Sequence, residues 1–145
     1  MKVLRLVLAG FLTITFVAAE ENLNPVPVII VNRTAIEDAT ATYPGTTNNL
    51  FTANHDGLFR ISYYLEVPPS ATGTVCLFVG WTDSLKVHQA SLPCAGATEG
   101  KTAVSATLVV RAKAGTAVTY NFFLANSGSG AATYSAFLVV ERLGQ

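Results

Sequence analysis

The 145-residue chain is long enough for one domain with a sizeable core, and its composition, half hydrophobic and 12% charged, is far from a disordered one. Nine basic and nine acidic side chains balance, and no Lys/Arg run supplies the stripe a nucleic acid needs, so that class of partner is excluded.

The first nineteen residues read differently from the rest. Lys2 and Arg5 make a basic start, residues 6–17 are apolar apart from Gly10, Thr13 and Thr15, and Val17-Ala18-Ala19 places small residues just before Glu20. This is the pattern of a secretory signal peptide, residues 1–19, cleaved after Ala19. A retained membrane anchor is the alternative, but it would need about 20 apolar residues and this run is shorter. Cleavage removes Lys2 and Arg5 from the basic count and leaves a net formal charge of −2 on a mature chain with no membrane association.

Residues 20–25 read as a flexible N-terminus, with Pro25 and Pro27 breaking the chain, and one domain is expected over residues 26–145. Residues 26–31, β-branched, predict a first strand. Asn32-Arg33-Thr34 is a glycosylation sequon, used only where the host glycosylates. Residues 35–49, rich in Thr, Ala and Asn and carrying Pro44-Gly45, predict a loop with one short strand near 39–43. A short strand at 50–53 leads to the Asp56-Gly57 turn.

The clearest signal follows that turn. Phe59, Ile61, Tyr63, Leu65 and Val67 fall on one side of an extended chain, and Arg60, Ser62 and Glu66 on the other. Leu58 and Tyr64 are apolar exceptions on the wet side. Pro68-Pro69 stops this strand. Val75, Leu77, Val79 and Trp81 then alternate with Cys76, Phe78, Gly80 and Thr82, a strand covered on both faces. Residues 83–100 are polar, with one short strand near 87–92. Strands are expected at 104–111 and 118–124, joined by an Ala114-Gly115 turn. Asn126-Ser-Gly-Ser-Gly130 reads as a flexible hairpin loop, and a last strand covers 133–143. No helical period occurs after residue 19, so the fold class is an all-β antiparallel sandwich or barrel.

Export makes Cys76 and Cys94 a candidate disulfide, and closing the loop between them stabilises by about 3 kcal/mol. A reactive cysteine is the weaker reading, because neither has a nearby cation to lower its pKa. His55 beside Asp56, and Asp83, Ser84 and His88, are the residues nearest to catalytic or metal-binding clusters. A solvated turn accounts for the first, and proximity in sequence is not triad geometry for the second. No paired-carboxylate, phosphate-loop or metal-ligand spacing is present, so no enzyme activity and no cofactor are expected. Glu37-Asp38 offers adjacent carboxylates to a calcium ion, though a solvated polar loop is the better reading. Trp81 with Asp83 at a strand end could contact a ligand, against the simpler reading that Trp81 continues the core row.

Four features in order resemble a known family: Phe51 before the Gly57-Leu58-Phe59-Arg60-Ile61-Ser62-Tyr63 strand; Val75-Cys76-Leu77 with the second cysteine at Cys94; Leu108-Val109-Val110 followed by Ala114-Gly115 and Val118; and Tyr134-Ser135-Ala136-Phe137-Leu138-Val139-Val140. Together they resemble the globular head of the complement first-component recognition protein and its tumour-necrosis-factor-like relatives. The resemblance covers roughly residues 26–143, without any collagen-like segment. It implies a jelly roll of about ten strands that assembles as a trimer and recognises a protein or glycan through loops. In the last strand, Phe137 and Val139 make a second apolar row behind the core row, which Tyr64 and Leu58 would widen if the strands are neighbours. These four are the expected oligomer interface, with a two-fold dimer as the fallback. Two functions stay open: a secreted, extracellular or periplasmic recognition or structural module, and a virion or surface-lattice decoration protein of the same fold.

Overall fold

A computed structural model describes residues 29–97, 100–125 and 132–144. The signal segment, the N-terminal stretch 20–25 and the loop at 126–130 lie outside the described residues. The strands are β1 (Ile29–Ala41), β2 (Asn48–Thr52), β3 (Gly57–Glu66), β4 (Thr74–Thr82), β5 (Val87–Ser91), β6 (Ala95–Gly96), β7 (Ala103–Ala112), β8 (Ala117–Leu124) and β9 (Ala132–Leu143). Two antiparallel sheets result, in the order β1-β9-β3-β7 and β2-β8-β4-β5, with β6 beside β4. This is the jelly-roll sandwich that the sequence implied, with nine strands among the described residues in place of about ten.

The period-two strands fold as their patterns require. In β3, Phe59, Ile61, Tyr63 and Leu65 are buried, while Leu58, Tyr64 and Glu66 are exposed on the other face. β9 repeats the arrangement, with Tyr134, Ala136, Leu138 and Val140 buried and Phe137 exposed. Facing them from the second sheet are Val75, Leu77, Val79, Val118 and Leu124, all fully buried. Ring pairs bridge the layers: Phe51 on Phe59 at 4.9 Å between centroids, and Phe122 on Tyr134 at 4.6 Å. Each large side chain so buried contributes about 1.5–3 kcal/mol. At one end, the Asp56 carboxylate accepts a 2.7 Å hydrogen bond from the Ala114 amide and ties the turn before β3 to the turn between β7 and β8.

Two sequence expectations need correction. Residues 35–38 are not loop and 39–41 are not a separate strand: β1 runs on from the expected first strand to Ala41, paired with β9 along its length. It is an edge strand, so one neighbour's ladder suffices to hold it, and an irregularity between Ile36 and Ala39 breaks the alternation that would have revealed it. Asp38 sits in that break with φ 47°. The two-residue β6 was likewise unforeseen, because Ala95-Gly96 is too short to show a period.

Candidate interaction surfaces

The outward side of the first sheet can be read in levels across β1, β9, β3 and β7. Ala35 lies opposite Phe137, and Phe137 opposite Tyr64. The next level is Arg33, Val139, Ser62 and Thr107, and the next is Ile30, Glu141, Arg60 and Val109. Leu58 comes last, opposite Leu143. Phe137 and Tyr64 are each 44% exposed, Leu58 46% and Val109 51%. The expected neighbour relation between β3 and β9 is therefore present, but the four residues do not form one patch. Arg60 Nε and Glu141 Oε2, 2.6 Å apart, stand between Leu58 and the positions of Phe137, Tyr64 and Val139, with Val109 beside the pair at its own level. Val109 was missed in the sequence, because its neighbours Ser105, Thr107 and Arg111 make that face of β7 look polar. Tyr64 donates to Glu66 Oε2 at 3.0 Å, and that bond raises its phenol pKa.

The β4–β5 hairpin brings Trp81, Asp83 and His88 together. Trp81 pairs with His88 across the ladder, and their rings stack at 5.2 Å and 11°. Trp81 is half-buried and packs against the core, in the row of Val75, Leu77 and Val79. Asp83 Oδ1 accepts from the Leu85 and Lys86 amides at 2.7 and 2.9 Å, and Oδ2 lies 2.6 Å from His88 Nε2. These bonds, the two backbone amides first, hold the Asp83 carboxyl down to about 2. Asp83 thus clamps the turn, and no hydrogen bond joins Ser84 to His88. His55 is exposed in its turn.

Cys76 and Cys94 are joined in a disulfide, with Cα atoms 4.2 Å apart. The bond encloses the rest of β4, the hairpin and β5 in one loop. Just before Cys94, the Pro93 carbonyl accepts a 2.6 Å bond from the Tyr63 hydroxyl, whose pKa burial pushes up to about 12. Asn32 lies in β1 with its side-chain amide donating to the Leu50 carbonyl and, at 3.4 Å, to Thr34 Oγ1. Attachment of a glycan there would displace the first of these bonds. Glu37 and Asp38 are both exposed, and the Asp38 amide donates to Ser135 Oγ at 3.2 Å. Among the described residues no three His, Cys, Asp or Glu side chains gather as metal ligands.

The outward side of the second sheet is shaped differently. Phe78 of β4 and Phe123 of β8 stack face to face, 4.4 Å between centroids at 4°. Beside them the β4 backbone is bare at Gly80, where a Cβ would come within 2.8 Å of Thr119 Oγ1. The segment 43–45 folds over β8, held by Asn121 Nδ2 donating to the Gly45 carbonyl at 3.1 Å. Only glycine fits at 45, since a Cβ would meet Asn121 Oδ1 at 2.1 Å and the Phe122 carbonyl oxygen at 2.2 Å.

No protein-family model matches the sequence, and no curated protein matches it. Solved structures do. The PRD1 vertex protein P5 aligns at a TM-score of 0.55 and 12% identity, over 82% of this chain and 99% of that one. The globular domain of zebrafish complement 1qA protein aligns at 0.49 and 18% identity, over 66% of this chain and 69% of that one. The capsid of Helicobacter pylori bacteriophage KHP30 aligns at 0.43 and 16%, over 82% and 94%. At such identities the likeness is one of fold, and the fold is the jelly roll.

Proposed function

We propose that the protein is an exported, non-enzymatic recognition or structural module that assembles as a homotrimer through the outward side of its first sheet. The observation that carries this reading is Tyr64 lying directly opposite the exposed Phe137 on two central strands. Central strands of a two-layer monomer should be wet on that side, and contiguous exposed apolar surface marks a contact. The sequence resemblance supplies the three-fold order; a two-fold dimer is what general frequency would give. The leading apolar segment and the Cys76–Cys94 disulfide both suit an oxidising, extracytoplasmic compartment. Among the described residues no helix is long and apolar enough to cross a membrane.

The test is light scattering on the exported protein beside Phe137→Asp and Leu58→Asp variants. An unpaired charge buried at the centre of the contact costs several kcal/mol, so Phe137→Asp should run as a monomer. Leu58→Asp, beyond the Arg60–Glu141 pair, should shift the equilibrium less. If both variants keep the wild-type mass, the contact lies elsewhere.

A second reading, a virion or surface-lattice decoration protein, is favoured by the likeness of fold to the PRD1 vertex protein P5, over 82% of this chain and 99% of that one. The mature N-terminus separates the two. A chain starting at Glu20 in the exported fraction supports the first reading, and Met1 retained in particles supports the second.

A further inference from the structure

Self-association through the first sheet leaves the outward side of the second sheet free, and that side holds a cleft. Two adjoining depressions, about 240 and 400 Å³, share Phe78, Gln89 and Asn121 as lining. The larger alone reaches the size of small-molecule sites, about 300–1,000 Å³. The stacked Phe78 and Phe123 rings form an aromatic floor, and bare Gly80 deepens it. Exposed Tyr43 stands on one wall, in the segment that Asn121 pins through Gly45. Gln89, exposed on β5, stands on the other, and Thr47 and Thr119 line the smaller depression. The disulfide and the Asp83 clamp fix β5, so the second wall is held in place from both of its ends.

The lining holds no Asp, Glu, Lys or Arg. His88 also lines the smaller depression, but its Nε2 is already engaged by Asp83 Oδ2 at 2.6 Å, so a phosphate, a carboxylate or a cation would find no unpaired counter-charge there. A wholly apolar ligand would strand the amides and hydroxyls without hydrogen bonds, which is unfavourable. A sugar ring has an apolar C–H face and a rim of neutral hydroxyls, each both donor and acceptor. Aromatic rings beside amide and hydroxyl side chains match both parts. We propose that this cleft binds a neutral saccharide, on the sheet face with the 43–47 connection as one wall; the inference deepens the recognition reading above and rests on it.

The experiment titrates the exported, ¹⁵N-labelled protein with cellobiose, lactose and N,N′-diacetylchitobiose, with sialyllactose as the anionic comparison. Saturation transfer from protein to sugar and the amide shifts of Gly80, Gln89 and Asn121 are read together. At least one neutral disaccharide should move all three amides. Tyr43→Ala and Gln89→Ala, both at exposed positions outside the core, should each weaken binding about two- to tenfold, the worth of one aromatic or polar contact. Silence to all three neutral sugars, shifts confined to other residues, binding unchanged in both variants, or a response to sialyllactose alone would each overturn the proposal. Native mass is measured on the same samples. A trimer silent to the sugars removes the site and leaves the assembly standing; a monomer that binds them does the reverse.

Discussion

Breaking the Cys76–Cys94 bond perturbs the second sheet at one covalent point, and its cost can be worked from the chain. The cysteines are 18 residues apart, and releasing a loop of that length restores unfolded-state entropy equivalent to about 3 kcal/mol. A domain of about 120 residues unfolds with an entropy near 250 cal/mol/K, so the melting temperature should fall by ~12 °C. Two routes give the perturbation. Reduction with a phosphine keeps both sulfur atoms in place; Cys76→Ala with Cys94→Ala removes them and also leaves a small void at the buried Cys76. Calorimetry on both should show the shared entropic loss, with a smaller extra loss in the double variant. Because β5 lies inside the loop, amide exchange should quicken there first and leave β3 and β9 protected. A melting point within 3 °C or so of the oxidised protein in both cases, or loss of protection spread evenly over both sheets, would refute the reasoning.

Three further outcomes are expected. Leu138→Ala, at a fully buried position of β9, should cost about 2–5 kcal/mol in a denaturant titration, and a loss under 1 kcal/mol or so would mean that the two sheets are loosely packed there. Asp83 is held below its ordinary 3.8 at about 2, so its contribution is present above pH 3.8 and is lost as the pH falls toward 2; Asp83→Asn should flatten that acid limb of a melting-temperature profile, and an unchanged limb would deny the clamp. Tyr63, raised from 10.0 to about 12, contributes fully below pH 10 and progressively less as the pH climbs to 12; Tyr63→Phe should lose about 1 kcal/mol at neutral pH and the alkaline decline with it, as chemical denaturation at the two pH values would show.

The sheets were legible where one strand buries one face. In β3 and β9 the alternation of Phe59, Ile61, Tyr63 and Leu65, and of Tyr134, Ala136, Leu138 and Val140, reports directly which side meets the core. β1 was legible only at its two ends: as an edge strand its outer side chains need no pattern, and the break at Asp38 shifts the phase midway. The disulfide followed from two cysteines in a chain whose leading segment reads as an export signal. That Tyr64 stands opposite Phe137 needed the sheet order, since nothing in either strand names its neighbour. Nor could the sequence show that Arg60 and Glu141 divide Leu58 from that pair. The nearness of Asp83 and His88 was visible, but its meaning was geometric: both carboxylate oxygens serve the hairpin. The cleft was the least legible feature. It draws on the 43–47 connection, on Phe78 and Gly80 of β4, Gln89 of β5, and Thr119, Asn121 and Phe123 of β8, and each alone looks like ordinary loop or strand.

Sedimentation equilibrium of the exported protein, across the widest workable concentration range, tests the assembly most directly. A mass of three chains, persisting on dilution and lost in Phe137→Asp, is the expected result. A single-chain mass at every concentration would contradict it and leave the exposed Tyr64–Phe137 pair without a role.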